Sequence, residues 1–245
     1  MSSRSINLGG LSCQVVEEIP DGNAPQLVVI LCHGYGAPGT DLVPIGHELL
    51  TSHPNLTDKV RFVFPAAPLS LDEFGLYGAR AWWPLDMNRL TAAIERGEFR
   101  DLRNDLPDEL PEVREKFSAL VREIRIETGL PNSRFVLGGF SQGSMLATDA
   151  ALRLDETPAA LCIWSGTLLC EDTWKELAAK RPDLHVLQSH GRQDPLLPFE
   201  AALWLRNMLI ESGMDVDFIE FDGMHTIPLE ALQRFGALLS QLTAD

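Results

Sequence analysis

Ser141 sits in Gly139-Phe140-Ser141-Gln142-Gly143, a G-x-S-x-G pattern that directly follows the apolar run Phe135 to Leu137 and precedes the helix-like stretch Met145 to Leu154. A serine held on a sharp strand-to-helix turn projects its Oγ above the carboxyl edge of a sheet, where open α/β sheets bind ligands. Glycines two residues to either side let neighbouring segments approach without a Cβ clash. The helix that follows points its positive end at the hydroxyl and favours negative charge developing there. Such a serine is suited to nucleophilic attack on an acyl carbon.

A serine hydroxyl is a poor nucleophile until a positioned base takes its proton, and sites on this kind of turn supply their parts in the chain order Ser, Asp or Glu, His. Of the six histidines, His33, His47 and His53 precede the serine, and His185 and His190 precede the best-placed acid, which leaves His225. His225 follows the strand pattern Val216 to Phe221 in a loop before a helix. The acid chosen is Asp194, whose loop follows the strand-like Leu184 to Gln188; it would hold the imidazole tautomer without taking the proton. Asp222, close to the histidine, is the other candidate. Oxyanion donors are expected at the backbone N–H of Gln142 and of a residue near His33-Gly34-Tyr35-Gly36, with Tyr35 favoured.

These residues need a frame. Short apolar runs at Leu27 to Cys32, Phe62 to Phe64, Phe135 to Leu137, Ala160 to Trp164, His185 to Leu187 and Val216 to Phe221 read as buried strands. Between them, Val113, Phe117, Leu120, Val121 and Ile124 mark one helical face, with Pro111 near its start and Gly129 as its stop. Pro198 to Gly213 and Pro228 to Leu242 repeat the pattern of an early proline followed by periodic apolar residues. Strands alternating with helices predict an α/β fold, a mostly parallel central sheet with helices on both faces. The chain reads as one domain over 1–245, with the Pro-, Gly- and aromatic-rich stretch 66–111 as a lid or pocket wall.

Composition narrows the function classes. The 20 Lys+Arg against 35 Asp+Glu leave a net charge of −15, which argues against nucleic-acid binding because that depends on basic side chains neutralising phosphates. Cys13, Cys32, Cys162 and Cys170 show no paired spacing, the histidines lack H-E-x-x-H, and no P-loop is present, so no metal and no cofactor are expected. No apolar run is long enough to span a bilayer, and the N-terminus lacks a secretory h-region, which predicts a cytoplasmic protein without an integral membrane segment.

Four blocks in order give the sequence a family resemblance: Leu31-Cys-His-Gly-Tyr-Gly36, Phe64-Pro-Ala-Ala-Pro68 with Arg80-Ala-Trp-Trp83, Gly138-Gly-Phe-Ser-Gln-Gly143, and His190-Gly-Arg-Gln-Asp-Pro-Leu-Leu-Pro198 with Gly223-Met-His225. The chain resembles the phospholipase/carboxylesterase family of the α/β-hydrolase superfamily, which includes the acyl-protein thioesterases. That resemblance implies Ser141 as nucleophile, Asp194 as acid, His225 as base, oxyanion N–H groups at Tyr35 and Gln142, and an acyl pocket lined by Leu196 and Trp83, although Trp82 and Trp83 also suit a plain aromatic core. The substrate implied is a small-molecule or lipid-like acyl ester or thioester, and the protein a monomer or homodimer. Tyr35, Ser144 and Met224 depart from the family pattern, and the stretch from Met87 to Pro111 is longer than family members need. A non-catalytic ligand-binding protein on the same fold, or a hydrolase of lactone or peptide bonds, is the alternative.

Overall fold

In a computed structural model, which describes residues 3–86, 92, 95–96 and 101–244, every residue of the strand Leu27–Cys32 (β3) is buried, and its side chains alternate between two hydrophobic clusters. Val28, Ile30 and Cys32 enter one cluster; Leu27, Val29 and Leu31 enter the other. A strand covered on both faces reads as a continuous apolar run, because alternate residues point to opposite sides. The same division holds for Phe135–Phe140 (β7) and Ala160–Trp164 (β8), where Leu137 and Ile163 face one cluster and Val136 and Cys162 the other.

Among the described residues the central sheet runs in the order β1, β2, β4, β3, β7, β8, β9, β10, adding Ser3–Leu8 (β1), Leu11–Val16 (β2), Val60–Pro65 (β4), His185–Gly191 (β9) and Asp215–Phe221 (β10). From β4 to β10 the pairing is parallel, whereas β1 and β2 form an antiparallel hairpin that joins β4 antiparallel. Leu69–Ser70 (β5) and Arg80–Ala81 (β6) make a separate short antiparallel pair. Helices Leu110–Thr128 (α2), Gln142–Arg153 (α3), Glu171–Ala178 (α4) and Phe199–Glu211 (α5) supply the first cluster, and Val43–Ser52 (α1) and Leu229–Leu242 (α6) supply the second. This is the mostly parallel sheet with helices on both faces that the alternation of strands and helices predicts, and the α/β-hydrolase fold that the family resemblance implies.

Each of the six expected strands is present, most of them longer than their apolar runs, and α2 carries Pro111 in its first turn and ends at Gly129. The hairpin β1–β2 and helices α1 and α4 go beyond the expected elements. β1 is an edge strand with Ser3, Arg4 and Ser5 exposed, so it carries no apolar run; the signal that marks it is the Gly9-Gly10 turn before Leu11. Part of the expected lid or pocket-wall stretch 66–111, namely 87–91, 93–94 and 97–100, lies outside the described residues.

Candidate active site

Register brings the carboxyl ends of five parallel strands to one edge: Cys32 of β3 lies opposite Gly139, Trp164 opposite Ser189, and Phe221 opposite Gly191. Ser141 stands between β7 and α3 with φ 53° and ψ −122°, a conformation that L-residues adopt only under constraint. The constraint is visible on both sides. Its N–H donates to Trp164 O at 2.8 Å, and its carbonyl accepts the Ser144 N–H at 3.0 Å and the Ser144 hydroxyl at 2.7 Å. Gly139 and Gly143 press against the end of β3 so closely that a Cβ on either would overlap the Cys32 carbonyl oxygen.

The loops after β9 and β10 carry Asp194 and His225. Asp194 Oδ2 lies 2.6 Å from His225 Nδ1, while Asp194 Oδ1 accepts the N–H groups of Leu196 and Leu197 at 2.9 and 3.0 Å. A carboxylate only accepts, so the proton of this bond belongs to Nδ1 and leaves Nε2 as the acceptor. Two backbone bonds sew the loops together, Arg192 N–H to Phe221 O and Gln193 N–H to Gly223 O, both 2.9 Å. The Phe140 ring packs on the imidazole of His225 with centroids 4.7 Å apart. Asp222, the other acid considered, has an 89% exposed side chain 4.0 Å from Arg192 Nε, so it faces solvent as a turn residue rather than His225.

Behind Tyr35 the loop after β3 is pinned by groups that sequence reasoning had not assigned. His33 is buried; its Nε2 accepts the Ala67 N–H at 3.0 Å, so Nδ1 carries the proton and donates to Gly34 O at 2.8 Å. Burial pushes the His33 imidazole below its usual value, keeping it neutral. Trp82 Nε1 donates to His33 O at 2.8 Å, the Gly36 N–H donates to Arg80 O at 2.9 Å, and the Arg80 guanidinium donates to the carbonyls of Ala67 and Pro68. The Gln142 side chain is anchored at both ends, accepting the Trp82 N–H and donating to Trp83 O, each at 2.8 Å. Among the described residues no hydrogen bond takes its main-chain N–H, which stands at the start of α3 where no intrahelical acceptor exists. Among the described residues no hydrogen bond takes the N–H of Tyr35.

Ser141, His225, Tyr35, Gln142, Trp83 and Leu196 border one cavity of about 560 Å³, a volume typical of small-molecule sites. Asp194 lies buried behind His225 and does not border it; Trp82 is a core residue. Among the described residues no hydrogen bond joins the Ser141 hydroxyl to His225, a contact that in unliganded sites often closes only on substrate binding. Leu102, Leu106, Met145, Leu169 and Leu197 give the cavity an apolar wall that sequence reasoning had not named. Their distances along the chain hide it: they come from the stretch before α2, from α3 and from loops at the same sheet edge. Among the described residues no group of three or more His, Cys, Asp or Glu side chains is placed to hold a metal ion. The four cysteines are free thiols; burial raises Cys13 to about 12 and pushes Cys32 and Cys162 well above the ordinary thiol value.

The chain is similar to known proteins over most of its length. The chain is 27% identical over 190 residues to acyl-protein thioesterase 1 of Neurospora crassa, covering 75% of this chain and 74% of that protein, and 27% identical over 217 residues to acyl-protein thioesterase 1 of Emericella nidulans, covering 84% and 87%. Among solved structures, esterase PE8 matches with a TM-score of 0.76 at 26% identity, covering 95% of this chain and 99% of that one. A Mesorhizobium loti carboxylesterase shares the fold, with a TM-score of 0.72 at 15% identity over 98% of this chain and 99% of that one. The phospholipase/carboxylesterase family model matches residues 12–242, and the chain belongs to that family.

Proposed function

We propose that the protein is a serine hydrolase that cleaves carboxylic esters or thioesters through an acyl-enzyme, with Ser141 as nucleophile, His225 as general base and Asp194 as the acid that orients it. The observation that carries this is that His225, backed at 2.6 Å by the buried Asp194, borders the same cavity as a serine held at φ 53°. His225 Nε2 takes the hydroxyl proton as Ser141 Oγ attacks the acyl carbon, and the N–H groups of Tyr35 and Gln142 receive the negative charge on the former carbonyl oxygen. Collapse breaks the bond to the alcohol or thiol, which leaves with the proton held by His225. A water then repeats the attack on the acyl-serine, giving its proton to His225, and the carboxylic acid departs as Ser141 recovers its hydrogen.

Trp83 and Leu196, with the leucine wall, would receive the acyl group, and Trp83, Leu85, Leu102 and Leu106 support a pocket-wall role for the described part of 66–111 in a chain read as one domain. Esterase and thioesterase names among the relatives support a small or lipid-like acyl substrate. Among the described residues no helix is long and apolar enough to cross a membrane, and the proposal keeps the cytoplasmic location expected from the sequence. Replacing Ser141 with Ala should abolish turnover of short p-nitrophenyl esters and labelling by a fluorophosphonate probe. Retained turnover in pure variant protein refutes the nucleophile, and a wild-type chain that neither turns over esters nor takes the probe is a ligand-binding protein instead.

A further inference from the structure

A second imidazole lies against the acid. His190, at the end of β9, is fully buried, and its Nε2 is 2.8 Å from Leu197 O and 3.3 Å from Asp194 Oδ2. Both neighbours are acceptors, so Nε2 must carry the proton and share it between them. Nδ1 is then an unprotonated nitrogen, and it is buried with no hydrogen-bond partner. A proton added there would make a buried N–H with nothing to accept it, at the full desolvation penalty of an unsatisfied charged donor.

We infer that His190 is a positioning residue for the acid–base pair: a permanently neutral ring whose single shared N–H fixes the Asp194 loop and leaves the whole charge change of the site to His225. The peptide of Leu197 shows how the clamp works. Its N–H is held by Asp194 Oδ1 at 3.0 Å and its carbonyl by His190, so the acid, the loop and a cavity-lining leucine move as one unit. The charged groups facing His190 are Asp194 and, beyond it, His225, while the Phe199 ring closes the side towards α5 with centroids 6.2 Å apart. Burial dominates the balance and holds the His190 imidazole below its usual value, with the charge of a protonated His225 acting in the same direction. The free acceptor of His190, Nδ1, is buried and the ring does not border the cavity, so two imidazoles beside one carboxylate divide the labour: one exchanges the proton of the reaction, the other holds.

The inference rests on the proposed hydrolase reading only for its kinetic arm, and its first test needs no activity. In nitrogen-15 histidine NMR of the whole chain between pH 5 and 8, the resonance pair lost in His190→Gln should stay that of a neutral Nε2–H ring throughout. Titration of that ring, or an Nδ1–H tautomer at His190, overturns it. Kinetically, His190→Phe keeps the girth but removes the donor. It should lower kcat on a short acyl ester about tenfold, the worth of one hydrogen bond to a charged group, with KM little changed. It should also move the acidic limb of the kcat/KM profile to higher pH, because the undivided charge of Asp194 then stabilises the His225 imidazolium. His190→Gln, whose amide N–H can reach the position of Nε2, should stay within about threefold of wild type. Equal losses in the two variants with the limb unmoved overturn the inference. If His190→Phe does not fold, the wild-type spectrum and His190→Gln decide.

Discussion

Asp194 holds His225 with one carboxylate oxygen and its own loop with the other, so the orientation of the imidazole is tied to the turn from Asp194 to Leu197. Asp194→Asn tests that arrangement. The carbonyl of the new amide must face the N–H groups of Leu196 and Leu197, which turns its NH2 toward His225 Nδ1. That forces the imidazole proton onto Nε2, where it can no longer accept a proton from Ser141. Such wrong-tautomer substitutions cost about 10⁴ in kcat, and a loss of this order with little change in KM is expected here. A loss under about tenfold would move the acid elsewhere.

Gly143 makes a second prediction. A Cβ there would overlap the carbonyl oxygens of Cys32 and His33, both backbone atoms at the root of the Tyr35 loop. Gly143→Ala must therefore separate the start of α3 from that loop, pulling the Gln142 and Tyr35 N–H groups apart. Losing one oxyanion donor costs on the order of 3 kcal/mol, so kcat should fall about 10²-fold or more. Overpacking should lower stability by roughly 1–3 kcal/mol. Activity within about threefold of wild type would show that the two loops do not form the oxyanion site.

What the sequence made legible followed from how local each signal is. Ser141 is readable because strand, turn and helix are contiguous, and the 135–154 pattern holds all three. Asp194 and His225 were reached by chain order and by the parallel β9–β10 register, which returns both loops to one edge. The same elimination set His190 aside, yet it ended against the same carboxylate, because order along the chain says nothing of what packs beneath a loop. The Gln142 side chain was equally hidden: its partners at Trp82 and Trp83 lie about 60 residues away in sequence. Ser144 and Met224, read as departures from the family pattern, differ in effect: Ser144 caps the Ser141 carbonyl, whereas Met224 is an exposed side chain whose backbone oxygen abuts Gly191.

Stability should depend on pH through the buried imidazoles. His33 and His190 have folded values below the ordinary 6.5, with burial the largest cause in each. A group depressed on folding leaves stability intact above its unfolded value, and lowering pH through the window beneath 6.5 lets the unfolded chain bind protons that the folded chain refuses. Each such histidine then costs at most about 1.4 kcal/mol per pH unit. The urea midpoint should therefore fall between pH 7 and 5.5, before carboxylates near their ordinary range of about 4 begin to titrate. In His190→Gln that fall should be shallower, and an equal midpoint at pH 7 and 5.5 in the wild type contradicts the neutral, buried assignment.

Asp149 offers the last prediction, on the helix that carries the nucleophile at its start. Its carboxylate has no exposed surface and meets the Arg114 guanidinium from α2, Arg153 Nε at 3.2 Å from the next turn of α3, and Trp174 Nε1 from α4 at 2.9 Å. A buried charge is tolerated only while partners compensate it, so the two arginines should be partly redundant. Either Arg114→Ala or Arg153→Ala alone leaves one guanidinium in place and should cost about 1 kcal/mol, whereas the double variant strands the carboxylate beside a lone indole and should cost more than about 3 kcal/mol. Chemical denaturation of the four proteins measures the coupling. Strict additivity would mean that water or backbone, not the second arginine, takes over when one is lost. With positive coupling, Ser141 is held from behind by an ion cluster that ties α2, α3 and α4 together, and the double variant should lose activity as it loses stability.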